Sequence, residues 1–231
     1  MSDDKPEREA IELRGLTSGS VWDYENGYHW FSPPSRIGKM LAHYELYKMI
    51  VDLPGDVVEL GVFKANSLIR FATYRRVLEN EDSRVIRGFD MFGSFPRSGV
   101  GLDADRSFID GFEREAGDGL TADEARAVLA RKGFANIDIR PGDVFETLPA
   151  FLEEKPAARI ALLHLDMDVR EPTQFALDTL YDRVVPGGLV VFDDFTAVAG
   201  ATEVAEQFVA ARCLRLEKLP FYSVPAFFVK P

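Results

Sequence analysis

Two acidic pairs, Asp166-Met167-Asp168 and Asp193-Asp194, each follow a short apolar run, residues 160–165 and 189–192. Runs of that length bounded by turn signals read as strands buried on both faces of a parallel sheet. Both pairs then fall at carboxyl ends of strands, the edge where open α/β sheets take their ligands. Carboxylates that converge out of water are unfavourable unless a positive charge sits among them. A divalent metal is the simplest such charge.

Further acidic residues fall along or at the ends of other strands. Residues 56–60 read as the first strand and run into Glu59-Leu60-Gly61-Val62-Phe63-Lys64-Ala65-Asn66-Ser67. A dinucleotide fingerprint needs three spaced glycines here, and only Gly61 is present. Gly38-Lys39 is followed by Met40 and lacks the upstream glycine of a phosphate-binding loop. A ligand with an amino-acid end and an adenosine end fits this tight turn better. Glu59 suits an ammonium, and the helix beginning near residue 64 suits a carboxylate at its N-terminus. Asp90 suits a ribose diol, and Asp143 an adenine amino group. One such residue alone is more often a helix cap or a solvated loop residue. Three on successive strands describe S-adenosylmethionine.

The elements that must hold these residues alternate. Residues 1–34 read as an irregular aromatic arm or lid, with Trp22, Tyr24, Tyr28, His29, Trp30, Phe31 and Pro33-Pro34. Packing of those aromatics on the chain's own core or on a second subunit accounts for them equally well. Helices are expected over residues 35–51, 64–78, 108–115, 121–130, 145–153, 173–184 and 202–211, from apolar spacing and stop signals. Strands are expected over 56–60, 84–89, 137–140, 160–165, 189–192, 214–219 and 226–230. Thr121-x-x-Glu124 is a capping-box pattern. The alternation implies a Rossmann-like, doubly wound, mostly parallel seven-stranded α/β sheet, with an antiparallel addition at one edge from the last two strands. Residues 35–231 then form one domain.

Composition narrows the classes. The chain has 231 residues, 46% hydrophobic and 28% charged, with a net charge of −11. No Lys/Arg-dense stretch offers a nucleic-acid footprint. No apolar run reaches membrane-spanning length, and the charged residues 1–10 do not read as a signal peptide. The expected location is the cytoplasm. The single Cys213 excludes an internal disulfide and is expected to be buried and inert. His164, inside an apolar run, is expected to be a satisfied core histidine. Asp168 is expected to pair with Arg170 or to cap the helix near Thr173.

From about Ser35 to Phe195 the chain resembles the macrocin O-methyltransferase family, class I enzymes that methylate sugar hydroxyls. The likeness is carried by Gly55-Asp56-Val57-Val58-Glu59-Leu60-Gly61-Val62 with Ser67, by Asp90-Met91-Phe92-Gly93-Ser94-Phe95-Pro96, and by Gly142-Asp143-Val144-Phe145-Glu146-Thr147-Leu148-Pro149. Leu165-Asp166-Met167-Asp168-Val169-Arg170-Glu171-Pro172-Thr173 and Pro186-Gly187-Gly188 with Asp193-Asp194-Phe195 are its more specific parts. The resemblance implies S-adenosylmethionine at Glu59, Gly61, Val62, Ser67, Asp90, Asp143, Phe145 and Asp166. It implies Mg²⁺ at Asp166, Asp193 and Asp194, with Asp166 also the general base. It implies a sugar or glycoside acceptor and a homodimer. A catechol-type O-methyltransferase, an amino-sugar N-methyltransferase and a non-catalytic cofactor-binding domain are the alternative readings. Ala65-Asn66, Met167 and Arg170 depart from the family pattern, and Arg97, Arg106 and Arg170 are candidates for facing a diphosphate.

Overall fold

The computed structural model describes residues 10–97 and 100–231. The charged residues 1–9, and Ser98-Gly99 of the segment after the second parallel strand, lie outside the described residues. The chain divides into two compact units at Ile37 and Gly38. Among the described residues no helix is long and apolar enough to cross a membrane.

The first unit opens with a two-stranded antiparallel hairpin, β1 (Glu12–Leu13) and β2 (Leu16–Thr17). Its turn residues Arg14 and Gly15 both have positive φ, the twist that two-residue hairpins need. Helix α1 (Val21–Phe31) follows, and Tyr24 Oη accepts a bond from the Thr17 amide at 2.9 Å. This corrects the irregular arm expected from the sequence. Val21, Tyr24, Tyr28 and Phe31 do fall at helical spacing, but Trp22 and Trp30 between them mask the period. Trp22, Trp30 and Phe31 are 74%, 70% and 81% exposed.

Helix α2 (Pro34–Lys48) carries the chain into the second unit, its proline at the first helical position, where no amide is needed. Then come β3 (Asp56–Leu60), α3 (Asn66–Leu78), β4 (Ile86–Asp90), α4 (Asp103–Ala116), α5 (Ala122–Arg131), β5 (Ile137–Pro141) and α6 (Val144–Glu154). The chain continues through β6 (Ile160–Leu165), α7 (Arg170–Leu180), β7 (Val184–Phe192), α8 (Ala199–Ala211), β8 (Glu217–Leu219) and β9 (Tyr222–Val229). The sheet order is β5-β4-β3-β6-β7-β9-β8. The pairs from β5 through β7 are parallel, and β9 runs antiparallel between β7 and the short outer β8. The mostly parallel seven-stranded sheet expected from the sequence is therefore present. The capping box at Thr121 and Glu124 is also formed.

Element ends moved where turn chemistry competed with pattern. Pro186-Gly187-Gly188, read as a helix stop, lies inside β7, next to a register shift against β6. Helix α7 ends at Leu180, and α4 begins at Asp103, five residues earlier than its apolar pattern suggested. Cys213 is exposed, not buried, in the turn after α8.

The amino ends of the parallel strands are closed by arginines. Arg84 donates to Glu79 at 2.7 Å and to the carbonyls of Ile50, Val51, Leu53 and Gly55. Arg87 bridges Asp56 and Asp138 at 2.9 and 2.5 Å. Arg75, fully buried, reaches Glu81 and three carbonyls, those of Arg84, Ala135 and Asn136. Glu79, Glu81, Asp56 and Asp138 there each face a guanidinium.

Candidate active site

Strands β3, β6 and β7 end level, because Leu60 pairs with Leu165 and Leu165 with Phe192. The next amides continue the ladder: Gly61 donates to Phe89, Asp166 to Leu60 and Asp193 to Leu165, at 2.8–2.9 Å. Gly61, Asp166 and Asp193 are thus side by side. Gly61 has φ +91°, and a Cβ there would lie 1.8 Å from the Asp166 carbonyl oxygen. Only glycine permits the first turn to pass so close to the acidic loop.

One oxygen from each of Asp166, Asp168 and Asp194 lies within 4.8 Å of the others. Asp168 and Asp194 are 9% exposed and Asp166 is partly exposed. The Asp168 amide donates to Asp194 Oδ2 at 3.2 Å, tying the two loops together. Arg170 lies 3.6 Å from Glu203, and α7 begins after Val169 without a side-chain cap. This corrects the expected Asp168–Arg170 pair and the expected cap: left-handed backbone at Asp168, φ 64°, accompanies its convergence with Asp166 and Asp194. Burial, then the neighbouring charge of Asp193, holds the Asp166 carboxyl well above its ordinary pKa. Burial, then Asp168, does the same to Asp194, and burial, then Asp166, to Asp168.

Asp193 differs from its neighbours. Lys39 donates to its Oδ2, and His43 and His164 each place Nε2 3.3 Å from its Oδ1. Burial opposes ionisation, but His164, His43 and Lys39 together hold Asp193 well below the usual carboxylate range. His164 Nδ1 also lies 3.3 Å from Oε1 of Glu59, its partner in the β3–β6 register. Burial would lower the His164 pKa, but bonding to Asp193 and Glu59 outweighs it and pushes it up to about 10. His164 is the satisfied core histidine expected, fully buried with Glu59 and Asp193 each 3.3 Å from a ring nitrogen. For His43, stacked on Phe71, burial wins and lowers the pKa to about 4. For Lys39 burial is outweighed by Asp166, Asp193 and Asp194, which hold the ammonium well above its ordinary value. Glu59, Asp166, Asp168, Asp193 and Asp194 are thus gathered around two basic side chains, Lys39 and His164.

Apart from Asp166, the residues expected to bind the cofactor lie on β3, α3, β4 and α6 and on the turns beside them. Asp90 Oδ2 accepts the amides of Val62 and Phe63 at 2.7 and 2.9 Å, and its Oδ1 that of Phe92 at 2.6 Å. A carboxylate offers about four acceptor positions, so one remains for a ligand hydroxyl. Ser67 is buried in the first turn of α3, which starts after Ala65 without a side-chain cap. Asp143 caps α6 through the Phe145 amide, and the Phe145 ring lies 4.7 Å from that of Phe175. Glu59 is fully buried, with His164 Nδ1 3.3 Å from its Oε1. Arg97, Arg106 and Arg170 are all engaged locally, with Asp110 and Glu113, with the Val100 carbonyl and Asp103, and with Glu203. Lys39 and His43 escaped the sequence reading. Their only signal was a lysine and a histidine four residues apart on one helix, at the spacing of a shared face.

A family model described as Macrocin-O-methyltransferase (TylF) matches residues 40–221. The chain belongs to that family. It is 31% identical over 145 residues to the 8-demethyl-8-(2,3-dimethoxy-alpha-L-rhamnosyl)-tetracenomycin-C 4'-O-methyltransferase of Streptomyces olivaceus, covering 62% of this chain and 54% of that protein. It is 30% identical over 173 residues to the demethyldecarbamoylnovobiocin O-methyltransferase of Streptomyces niveus, covering 69% of this chain and 60% of that one. The match thus spans little more than half the length of these relatives. Among solved structures, the calicheamicin methyltransferase CalS11 superposes with a TM-score of 0.69 at 25% identity, over 90% of this chain and 85% of that one. The macrocin family's first-turn glycine is replaced here by Ala65, which adopts the left-handed conformation glycine takes freely, φ 58°.

Proposed function

We propose that this protein is an S-adenosylmethionine- and Mg²⁺-dependent O-methyltransferase acting on a deoxysugar hydroxyl, of a nucleotide sugar or of a glycosylated natural product. The observation that carries the reading is the convergence of Asp166, Asp168 and Asp194 beside the Gly61 turn, with Asp193 next to them. The family match and the relatives' sugar and natural-product names support the reaction and the acceptor class.

The donor set fits a divalent cation: all-oxygen, partly buried, and short of positive charge. The resemblance implies Asp166, Asp193 and Asp194 as its ligands; the oxygens that converge are those of Asp166, Asp168 and Asp194, so we place it there, with Asp193, held by Lys39, His43 and His164, behind them. Lys39 is the positive charge these carboxylates hold in the structure. When bound, S-adenosylmethionine supplies a methyl group on a sulfonium leaving group, and Mg²⁺ supplies a Lewis acid that makes a hydroxyl more acidic. The chain's own residues do the rest. Asp166, beside the Gly61 turn, takes the hydroxyl proton. The Gly61–Phe63 backbone, Val62, Ser67 and Asp90 orient the cofactor's amino-acid and ribose ends, while Asp143 and Phe145 flank the adenine. Orientation of hydroxyl and methyl in line contributes the larger share of the rate. The reading takes residues 35–231 as the catalytic domain, preceded by the arm of residues 1–34, in a cytoplasmic homodimer; sedimentation velocity checks the dimer.

The test is incubation with labelled S-adenosylmethionine and a panel of rhamnosyl glycosides and nucleotide deoxysugars, with and without chelator. A singly methylated hydroxyl, formed only with Mg²⁺, is expected. Methylation of an amine that survives chelation, or no transfer and no S-adenosylhomocysteine binding, contradicts the reading.

A further inference from the structure

Helix α4 lies in the segment between β4 and β5, yet one of its side chains acts on both loops that carry the acidic pairs. Asp105 is 0% exposed. Its Oδ2 accepts the Arg170 amide and its Oδ1 the Gly200 amide, each at 3.0 Å. Arg170 opens α7 just after the Asp166–Asp168 turn, and Gly200 lies in the first turn of α8, just after Asp193-Asp194. The first amides of a helix lack partners and favour a negative charge. Neither helix caps itself, because Val169 and Val198 occupy the capping positions. One carboxylate from a distant segment therefore serves both.

The surroundings close a ring. The Asp168 amide donates to Asp194 Oδ2 at 3.2 Å, and the Asp194 carbonyl accepts from Ala197 and Val198 at 2.9 and 3.0 Å. A Cβ at Gly200 would lie 2.0 Å from Asp105 Oδ2 and 2.8 Å from the Arg170 Cβ, so this position has no room for a side chain. A second tie runs beside it, from the Gly101 amide to Glu171 at 3.0 Å. Val100 and Ile109 pack on Val169.

We propose that Asp105 is a positioning residue: by capping α7 and α8 together it fixes the spacing between the Asp166–Asp168 loop and the Asp193-Asp194 loop. The insert that carries α4 thereby sets the geometry of the acidic site. The catalytic consequence rests on the methyltransferase reading; the clamp itself does not.

Asp105→Asn tests it, since the amide keeps one acceptor but turns a donor toward the other amide. Hydrogen exchange on the full chain is expected to accelerate at residues 166–171 and 194–201, with the strands unchanged. Mn²⁺ affinity is expected to fall about 10–100-fold, the usual loss when a group orienting metal ligands is removed. S-Adenosylhomocysteine affinity is expected to hold. Gly200→Ala, which keeps Asp105 but wedges its carboxylate away, is expected to reproduce both effects. Asp103→Asn, on the same helix with a side chain 95% exposed, is expected to show neither. Wild-type exchange at both loops in Asp105→Asn and Gly200→Ala overturns the proposal, and so does faster exchange with unchanged Mn²⁺ affinity. If wild-type protein binds no Mn²⁺, the metal reading fails, while the exchange comparison still decides whether Asp105 clamps the two loops.

Discussion

At the amino ends of β3, β4 and β5, Arg75, Arg84 and Arg87 each meet at least one carboxylate, and Arg75 and Arg84 also satisfy backbone carbonyls. At the carboxyl ends of β3, β6 and β7, five carboxylates are gathered around Lys39 and His164. The backbone follows the same division. Phe63, Ala65, Phe92, Asp168 and Thr196, in loops after β3, β4, β6 and β7, all have positive φ. Near the amino ends of β3, β4 and β5 Asn136 is the only non-glycine residue that does among the described residues, and asparagine tolerates that conformation. Left-handed backbone costs other L-residues about 1–2 kcal/mol each. One edge is arranged for stability. The other holds unfavourable charge and geometry, the pattern of a binding or catalytic site.

Asp166→Asn separates the two edges most strongly. Turnover should fall by about 10²–10⁴-fold, with S-adenosylhomocysteine binding and the melting temperature retained or raised. A loss of stability instead would mean that the carboxyl edge is structural. Arg84→Ala should do the reverse. Removing one partner of a buried pair costs about 3–5 kcal/mol, and denaturant unfolding should show it while the folded fraction keeps its specific activity.

The two histidines predict a pH profile in the absence of divalent metal. His164, with a folded pKa of about 10 against 6.5, binds a proton that the unfolded chain has lost between those values. Its stability contribution is therefore complete below about 6.5 and disappears as pH rises toward 10. The slope from this group is at most about 1.4 kcal/mol per pH unit. His43, lowered to about 4, acts in the opposite sense, and stability falls as pH drops from 6.5 toward 4. The two histidine contributions together peak near 6.5, while Asp166, Asp168 and Asp194, all raised, add stability that is lost as pH rises through their folded values. In unfolding measured from pH 4 to 10, His164→Gln should reduce the loss between 6.5 and 10. The smallest effect is at Ala65: Ala65→Gly should stabilise by no more than about 1 kcal/mol, relief of left-handed strain less the entropy of glycine. Thermal melting checks it, and a destabilised variant would contradict the assigned backbone strain.

Strands β3 and β6 were legible to the residue, because an apolar run buried on both faces leaves no ambiguity of side. The acidic residues at their ends were legible for the same reason. Lys39, His43 and Asp105 were not. Lys39 and His43 meet Asp193 across about 150 residues, and Asp105 meets Arg170 and Gly200 across 65 and 95. Such pairings depend on topology, not on local spacing. The groups that face Asp168 and His164 are not legible either, because a single acidic or imidazole side chain in a pattern does not reveal which charges surround it. Asp90 was assigned to a ligand, but three backbone amides already occupy most of its acceptor capacity.

Calorimetric titration of Mg²⁺ into the wild-type chain, with Asp166→Asn alongside, tests the central claim that the carboxyl edge is built for a cation its own residues do not fully supply. Saturable one-site binding to the wild type, abolished or strongly weakened in the variant, is the expected result. Equal heats from both proteins, or none from the wild type with S-adenosylhomocysteine present, would contradict it and leave Lys39 and His164 as the only counter-charges of the site.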